Sequence, residues 1–411
     1  MKIVGVIAEF NPFHNGHARL ISHAKKNLGA DYIVAVMSGD FVQRGEPALL
    51  SRHSRAAAAL SAGFDLVLSL PVGISTASAE GFAEGGIRAL ASLGCVDTLL
   101  FGSEAGNLER LRACAHALLT ETPEQAEALQ AALKKGLSYP QARAEAFPDY
   151  ADLLSAPNNI LAIEYLKAIE KMKLSLEPKT LLRTGNYHAD DSSKSPSAET
   201  IRRRAIIYGS SSISLSQLAK DTMPSDSAYI FFSDITANGL VTAEDFSLLL
   251  ALRLFSALSY EEYLAFAGVG EDLARRIFEK RTTYLDYESF VNNLRSKNTT
   301  RTAICRALLS ILLAIPKGGH LSLPCLRVLG YRKEAQPLLQ EIAAHAEIPI
   351  LFRPAEAEKL AENAEKEGLE SSSLAAHIRR EIMAANLYEV VRAQKAGRFP
   401  RTDTNFPVYR I

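Results

Sequence analysis

The sequence predicts an α/β protein whose first 210 or so residues form a mainly parallel sheet, followed by a mostly helical half. Three observations carry this. The first 105 residues alternate short Val/Ile/Leu-rich runs with stretches of helical period, the order of a sheet covered by helices on both faces. Glycine and Asn/Asp punctuate the joints between them. Beyond about residue 210 the alternation fades, and apolar residues recur at helical spacing. At 411 residues the chain is long enough for two or three domains.

In order, KIVGVIAE (2–9) reads as a buried strand, and GHARLISHAKKNL (16–28) as a helix with Leu20, Ile21 and Ala24 on one face. DYIVAVM (31–37) is the second strand, and SRHSRAAAALSAG (51–63) the second helix, stopped by Gly63. FDLVLSL (64–70) and TLLFG (98–102) are the next strands, separated by an Ala-rich helix near 76–93. Residues 106–172 read as a helical insertion, with TPEQAEALQAALKKG (122–136) capped by Thr122 and closed at Gly136. A polar loop, GNYHADDSSKSPS (185–197), leads into AETIRRRAIIYG (198–209), a helix ending at Gly209. Later, TAEDFSLLLALRLFSAL, YEEYLAFAG, EDLARRIFEKR, YESFVNNLRS, RTAICRALLSILLAI and AQPLLQEIAAHA read as amphipathic helices. The expected division is therefore residues 1–210 and residues 211–411.

Composition narrows the class. No apolar run approaches the roughly 20 residues needed to span a bilayer, and no signal-peptide pattern opens the chain. Cys95, Cys114, Cys305 and Cys325 are scattered, so neither a disulfide framework nor a zinc knuckle is expected, and a reducing cytoplasm is the simplest home. Net charge is zero. Yet residues 291–333 carry Arg295, Lys297, Arg301, Arg306, Lys317, Arg327, Arg332 and Lys333 without one acid. Such a run is usually a solvated face; here its length favours a surface for RNA phosphates.

The chemistry concentrates in IAEFNPFHNGHARL (7–20). His14 and His17 follow a strand and open a helix, at the strand's carboxyl end, where α/β sheets bind ligands. A zinc site would need a third ligand at a recognisable spacing, and none is found. An arbitrary His-x-x-His pair is more often structural, but the preceding strand, the Asn-Pro turn and Gly16 reverse that preference. Backbone N–H groups and the positive helix end favour an anion, and Gly16 is expected to let a nucleotide approach the backbone. Imidazole N–H groups can then neutralise charge growing on a departing pyrophosphate.

FNPFHNGH resembles the His-x-Gly-His signature of the nucleotidyltransferase superfamily, which implies a Rossmann-like domain. The superfamily pairs it with a second motif, Ile-Ser-Ser-Thr-x-Ile-Arg. SPSAETIRR matches this at Ser197, Ile201 and Arg202 and departs at Glu199, where threonine is expected. Arg202 is then a clamp on the leaving phosphates, and Glu199 is expected to pair with Arg202 or Arg203 one turn along. VMSGDFVQRGEPALLS (36–51), FGSE (101–104), PNNILAIEYLKA (157–168), RTGNYH (183–188) and LRVLGYRKEAQPLL (326–339), in that order, resemble the bacterial tRNA(Met) cytidine acetate ligase family.

That resemblance implies formation of acetyl-adenylate from ATP and acetate, and acetyl transfer to N4 of the wobble cytidine of elongator tRNA(Met). It implies ATP contacts along Ile7, Ala8, Glu9, Phe10, Asn11, Pro12, Phe13, His14, Asn15, Gly16, His17, Ala18, Arg19 and Leu20. Further contacts fall at Gly102, at Asn158 or Asn159, and at Arg183. His14, His17 and Arg202 are the expected catalytic groups, with Ser197 at the phosphates and Mg²⁺ held mainly by ATP. Gln43, Arg44 and His188 are candidates for meeting the acceptor or the adenylate, and Tyr187 or Tyr331 for stacking on the cytidine. Asp40 carries no assigned role. A small-molecule adenylyltransferase and a non-catalytic nucleotide- or RNA-binding protein remain the alternatives.

Overall fold

A computed structural model of the chain describes residues 1–183, 196–209, 211–297, 299–353, 355–356, 359–360, 362–363 and 374–411. His188 and Tyr187 lie outside the described residues. The four expected strands form as β1 (Ile3–Ala8), β2 (Tyr32–Ser38), β5 (Leu66–Leu70) and β6 (Thr98–Ser103), and all pair in parallel. Between β2 and β5 the loop forms a two-residue hairpin, β3 (Phe41–Val42) with β4 (Glu46–Pro47). Four further strands of the main sheet were not foreseen: β7 (Glu177–Leu182), β8 (Leu326–Tyr331), β9 (Ile350–Leu351) and β10 (Tyr409–Arg410). The sheet order is β10-β8-β5-β2-β1-β6-β7, with β9 also on β8, and β8 is antiparallel to β5.

The second half is mostly helical, as expected, but the sheet does not end near residue 210. Three of its strands come from beyond residue 325. The local sequence hid this because β8 is only six residues long and its partner β5 lies some 260 residues earlier. YEEYLAFAG also differs, forming a 3₁₀ segment over Tyr260–Ala265.

Both faces of the sheet are buried with the period of two that strands impose. Ile3, Ile7, Val34, Val36, Leu66 and Leu68 enter one core with the helices Ala79–Ala91 and Pro157–Met172. Val4, Val6, Ile33, Ala35, Met37 and Val67 enter the other with α1 (Asn15–Lys26) and α2 (Arg52–Ala62). Gly63 ends α2 at φ +118°, a conformation that costs glycine little. A separate core joins Leu254, Ile277, Phe290, Ile304 and Leu308 in the second half. Among the described residues one stretch, Ser225–Ser256, is apolar enough by composition to cross a membrane. It folds as two helices, Ser225–Asn238 and Ser247–Ser256, broken at Gly239.

Candidate active site

The loop from β1 to α1 is held from beneath by a buried arginine. Arg55, on α2, donates to the carbonyls of Leu50 (3.0 Å), Glu9 (2.6 Å), Ser38 (3.1 Å) and Gly39. One guanidinium thereby ties together the carboxyl ends of β1 and β2. Phe10 sits at φ +46°, rare for a side chain of that size. Its ring is fully buried between Phe13 and Phe64, each 5.2 Å away, and packing holds the conformation. The Asn11–Pro12 peptide is cis, and the Asn11 side chain accepts from Leu49 N–H at 2.9 Å.

The chain thus arrives at α1 with His14 as its N-cap. His14 Nδ1 accepts from Gly16 N–H at 2.9 Å, and His17 Nδ1 accepts from His14 N–H at 3.2 Å. A capping box normally made with hydroxyl and carboxamide oxygens is made here with two imidazoles. Gly16 has a reason within the fold as well: a Cβ there would stand 2.5 Å from His14 Cε1, so the ring itself requires the glycine.

The rings lie against each other, tilted by 34°, with centroids 4.0 Å apart. Because both Nδ1 atoms accept, each neutral ring carries its proton on Nε2. Burial, then Arg183 and Arg202, pulls His14 from 6.5 down to about 3. Burial, then His14 and Arg183, pulls His17 well below the usual range. Both rings are therefore neutral N–H donors at physiological pH.

This has a consequence for stability. Unfolding returns His14 to its ordinary affinity for protons, so between pH 6.5 and about 3 the unfolded chain binds the extra proton. Stability rises with pH across that window, is fully present above it, and is lost as pH falls. His14→Asn, which keeps a good N-cap, is expected to flatten the stability–pH slope there by up to about 1.4 kcal/mol per pH unit. Denaturation midpoints at several pH values check this, and parallel curves for the two proteins refute it.

Arg183 lies at the end of β7, over Gly102. A Cβ on Gly102 would meet Arg183 Cγ at 3.1 Å. Arg183 donates to Asn158 Oδ1 at 3.2 Å, and Asn158 Nδ2 donates to Glu104 at 2.5 Å. Glu104 also accepts from Asn158 and Asn159 N–H, a carboxylate on the positive end of the helix Pro157–Met172. On the opposite side Ser197 caps the helix Ala198–Tyr208 through Thr200 N–H. Arg202 donates to the Asn11 carbonyl at 2.7 Å. Glu199 pairs with Arg44 at 3.0 Å, on a different element from the partner expected on its own helix.

These groups surround one cavity of about 680 Å³. Ile7, Ala8, Glu9, Phe10, Asn11, His14, His17 and Leu20 line it, with Gly102, Asn158, Arg183, Ser197 and Arg202. Gln43 and Arg44 also reach it. Pro12, Phe13, Asn15, Gly16, Ala18, Arg19 and Asn159 do not stand on its wall. Asn159 is buried instead, accepting from Ala105 N–H at 3.0 Å, which leaves Asn158 as the asparagine facing the cavity. Leu20 is half-buried, packed against the core and also on the cavity wall.

The sequence reading missed an apolar end of the cavity built from Phe82, Phe101, Leu154, Leu161 and Tyr165. It also missed a stretch of wall formed by Thr299, Thr300, Thr302, Ala303 and Arg306. Tyr331 is buried inside the sheet. Part of the basic run is likewise engaged: Arg301 pairs with Glu288 (2.8 Å) and Glu46 (3.6 Å), and Arg327 with Asp403. Asp40 accepts from Arg52 N–H at 2.7 Å and anchors the β3–β4 loop. The four cysteines are free thiols.

A parallel sheet with a histidine pair at the first helix start and arginines facing it defines a nucleotidyl transferase. The family described as HIGH Nucleotidyl Transferase matches residues 1–401. The chain is 37% identical to the tRNA(Met) cytidine acetate ligase of Acetivibrio thermocellus over 404 residues, 94% of each chain. It is 31% identical to the protein of that name from Fervidobacterium nodosum, over 100% of both. Thermotoga maritima TmcAL, crystallised with alpha-thio ATP, has the same fold, with a TM-score of 0.87 at 28% identity over the full length of both chains. The chain belongs to the tRNA(Met) cytidine acetate ligase family.

Proposed function

We propose that this chain is a ligase that activates acetate with ATP and acetylates N4 of the wobble cytidine of elongator tRNA(Met), in the cytoplasm. The observation that carries the reading is the meeting of the His14/His17 pair with Arg183 and Arg202 in one cavity, within a chain that matches relatives of that name along its whole length.

Acetate is a poor acyl donor because its oxide is a basic leaving group. In the first step an acetate oxygen attacks the α-phosphorus of ATP, the bond to the bridging oxygen breaks, and pyrophosphate leaves. No covalent enzyme intermediate is required, so the protein contributes position and charge. The Nε2–H groups of His14 and His17 donate to phosphate oxygens as charge builds, Arg183 and Arg202 neutralise it, and the open N–H groups after Ser197 extend the same field. Mg²⁺ would arrive on the phosphates and supply further neutralisation. Among the described residues no three His, Cys, Asp or Glu side chains cluster to hold a metal. In the second step the cytidine N4 attacks the acetyl carbon, AMP departs with the anhydride electrons, and the nitrogen loses a proton.

Purified protein with ATP, labelled acetate and a tRNA pool is expected to place label on N4-acetylcytidine without acetyl-CoA. Acetyl-CoA working where ATP and acetate fail would sink this reading. Adenylation of a small phosphate ester with no acylated RNA would favour a plain adenylyltransferase. Glu199→Thr tests the departure in the second motif. The Arg44 pair is solvent-exposed, its side chains 36% and 49% accessible, so its loss should change ATP affinity by about 1 kcal/mol or less. A hundredfold slower adenylation rescued by added Mg²⁺ would show that the carboxylate serves the metal.

A further inference from the structure

The phosphate-binding groups named above all come from the first 210 residues. Another part of its wall is built by the helix Arg301–Leu312 and the turn before it, nearly three hundred residues from the histidines in sequence. Thr300 caps that helix, its hydroxyl accepting from Ala303 N–H at 3.2 Å. Arg306 lies one turn further in. The β3–β4 loop fixes it there: Gly45 is at φ +78°, and a Cβ on Gly45 would stand 2.3 Å from Arg306 N. The loop that carries Gln43 and Arg44 thus rests directly on the backbone of this wall.

Arg306 is unusual in the basic run. Its neighbour Arg301 is neutralised by Glu288 and Glu46, and Arg327 by Asp403. Arg306 is only partly exposed, and among the described residues no carboxylate pairs with it and no carbonyl accepts from it. A desolvated, unpaired guanidinium costs energy unless a ligand completes it. Four and two positions before the wall residue Thr299 stand Arg295 and Lys297, both exposed. The first part of the basic segment therefore leads from exposed residues to the cavity wall at Arg306. The cavity, about 680 Å³, lies within the range of small-ligand sites.

We propose that Arg306 is a positioning residue for the acceptor, holding a backbone phosphate next to the unstacked cytidine. This rests on the acetyl-transfer reading above. A guanidinium suits this task because its planar fork takes two phosphate oxygens at once, and an RNA base drawn into a site must bring its phosphates along.

The test compares the full-length protein with Arg306→Ala and Arg306→Lys, in two half-reactions and one binding measurement. For Arg306→Ala, kcat/KM for tRNA is expected to fall at least tenfold further than acetate-dependent ATP–pyrophosphate exchange does. The slope of log affinity for tRNA against log salt should become shallower by about 0.7 to 0.9, the share of one phosphate contact. Arg306→Lys should recover the salt slope and part of the transfer rate, which a purely packing role would not do. Exchange and transfer falling together, with the salt slope unchanged, would assign Arg306 to ATP and overturn the proposal. Unchanged transfer would overturn it as well. A wild-type protein that forms no acetylcytidine defeats the ligase reading separately, and the salt slope then still decides whether Arg306 meets an RNA phosphate.

Discussion

His17→Ala is expected to slow acetate-dependent pyrophosphate exchange by about a hundredfold or more, the scale of losing one preorganised donor to a developing oxyanion. Affinity for tRNA should stay within about twofold. The size of the effect follows from how the ring is held. Its Nδ1 is committed to His14 N–H, so the remaining Nε2–H is a fixed donor that needs no reorganisation as charge grows. It is also neutral, because protonation is suppressed by burial and the neighbouring cations. It therefore binds the ground-state phosphates less tightly than an imidazolium would. A donor of this kind contributes mainly where charge is greatest, in the transition state.

His14→Ala should cost the same factor and in addition about 1 kcal/mol of stability, since His14 is also the N-cap. His14→Asn separates the two roles by restoring the cap without the reach. Its stability should recover and its rate should not. Exchange that survives in both alanine variants would place the chemistry away from these rings.

The four strands over residues 2–102 were legible because each is a short, continuous Val/Ile/Leu run between turn signals, buried on both faces. The histidine pair was legible for a related reason. Its position after such a run fixes it at the carboxyl edge of the sheet, whatever the rest of the chain does. Arg202 was legible only through a motif, and the structure gives it an anchor, the Asn11 carbonyl, that no local pattern announces. Arg55 was missed because a cation in SRHSRAAAAL looks like the solvated side of an Ala-rich helix, when it is the most enclosed charge beneath the site. Glu199 shows the limit of helical spacing, which offers i+3 and i+4 partners but cannot see Arg44 arriving from another loop. β8, β9 and β10 depend wholly on pairing at long range. Their sequences carry no more strand signal than many buried helical turns.

Asp403→Ala is expected to be the most destabilising single substitution away from the cavity, by about 3 to 5 kcal/mol. Asp403 is 3% exposed and near the end of the chain. Its two carboxylate oxygens meet Arg52 of α2 and Arg327 of β8, and its carbonyl accepts from Arg327 at 3.1 Å. Arg52 keeps a second carboxylate, Asp40, at 3.5 Å. Removing Asp403 leaves two buried guanidiniums without the carboxylate that bridges them, with Asp40 on Arg52 and the buried Glu381 nearby. The loss should exceed that of an exposed pair several-fold, because neither cation can be rehydrated without opening the tail from α2. Phe406, stacked on His53 at 4.5 Å, would be released with it.

Asp403→Asn keeps hydrogen-bond acceptance at one oxygen and should lose less. The effect should also reach the active site, since Asp40 takes its position from Arg52 and anchors the loop that carries Gln43 and Arg44. Denaturant midpoints for the three proteins, read beside ATP–pyrophosphate exchange, check both parts. A loss below about 1 kcal/mol in Asp403→Ala would mean that Asp40 and Glu381 can neutralise both arginines, and that the tail is held by its apolar contacts instead.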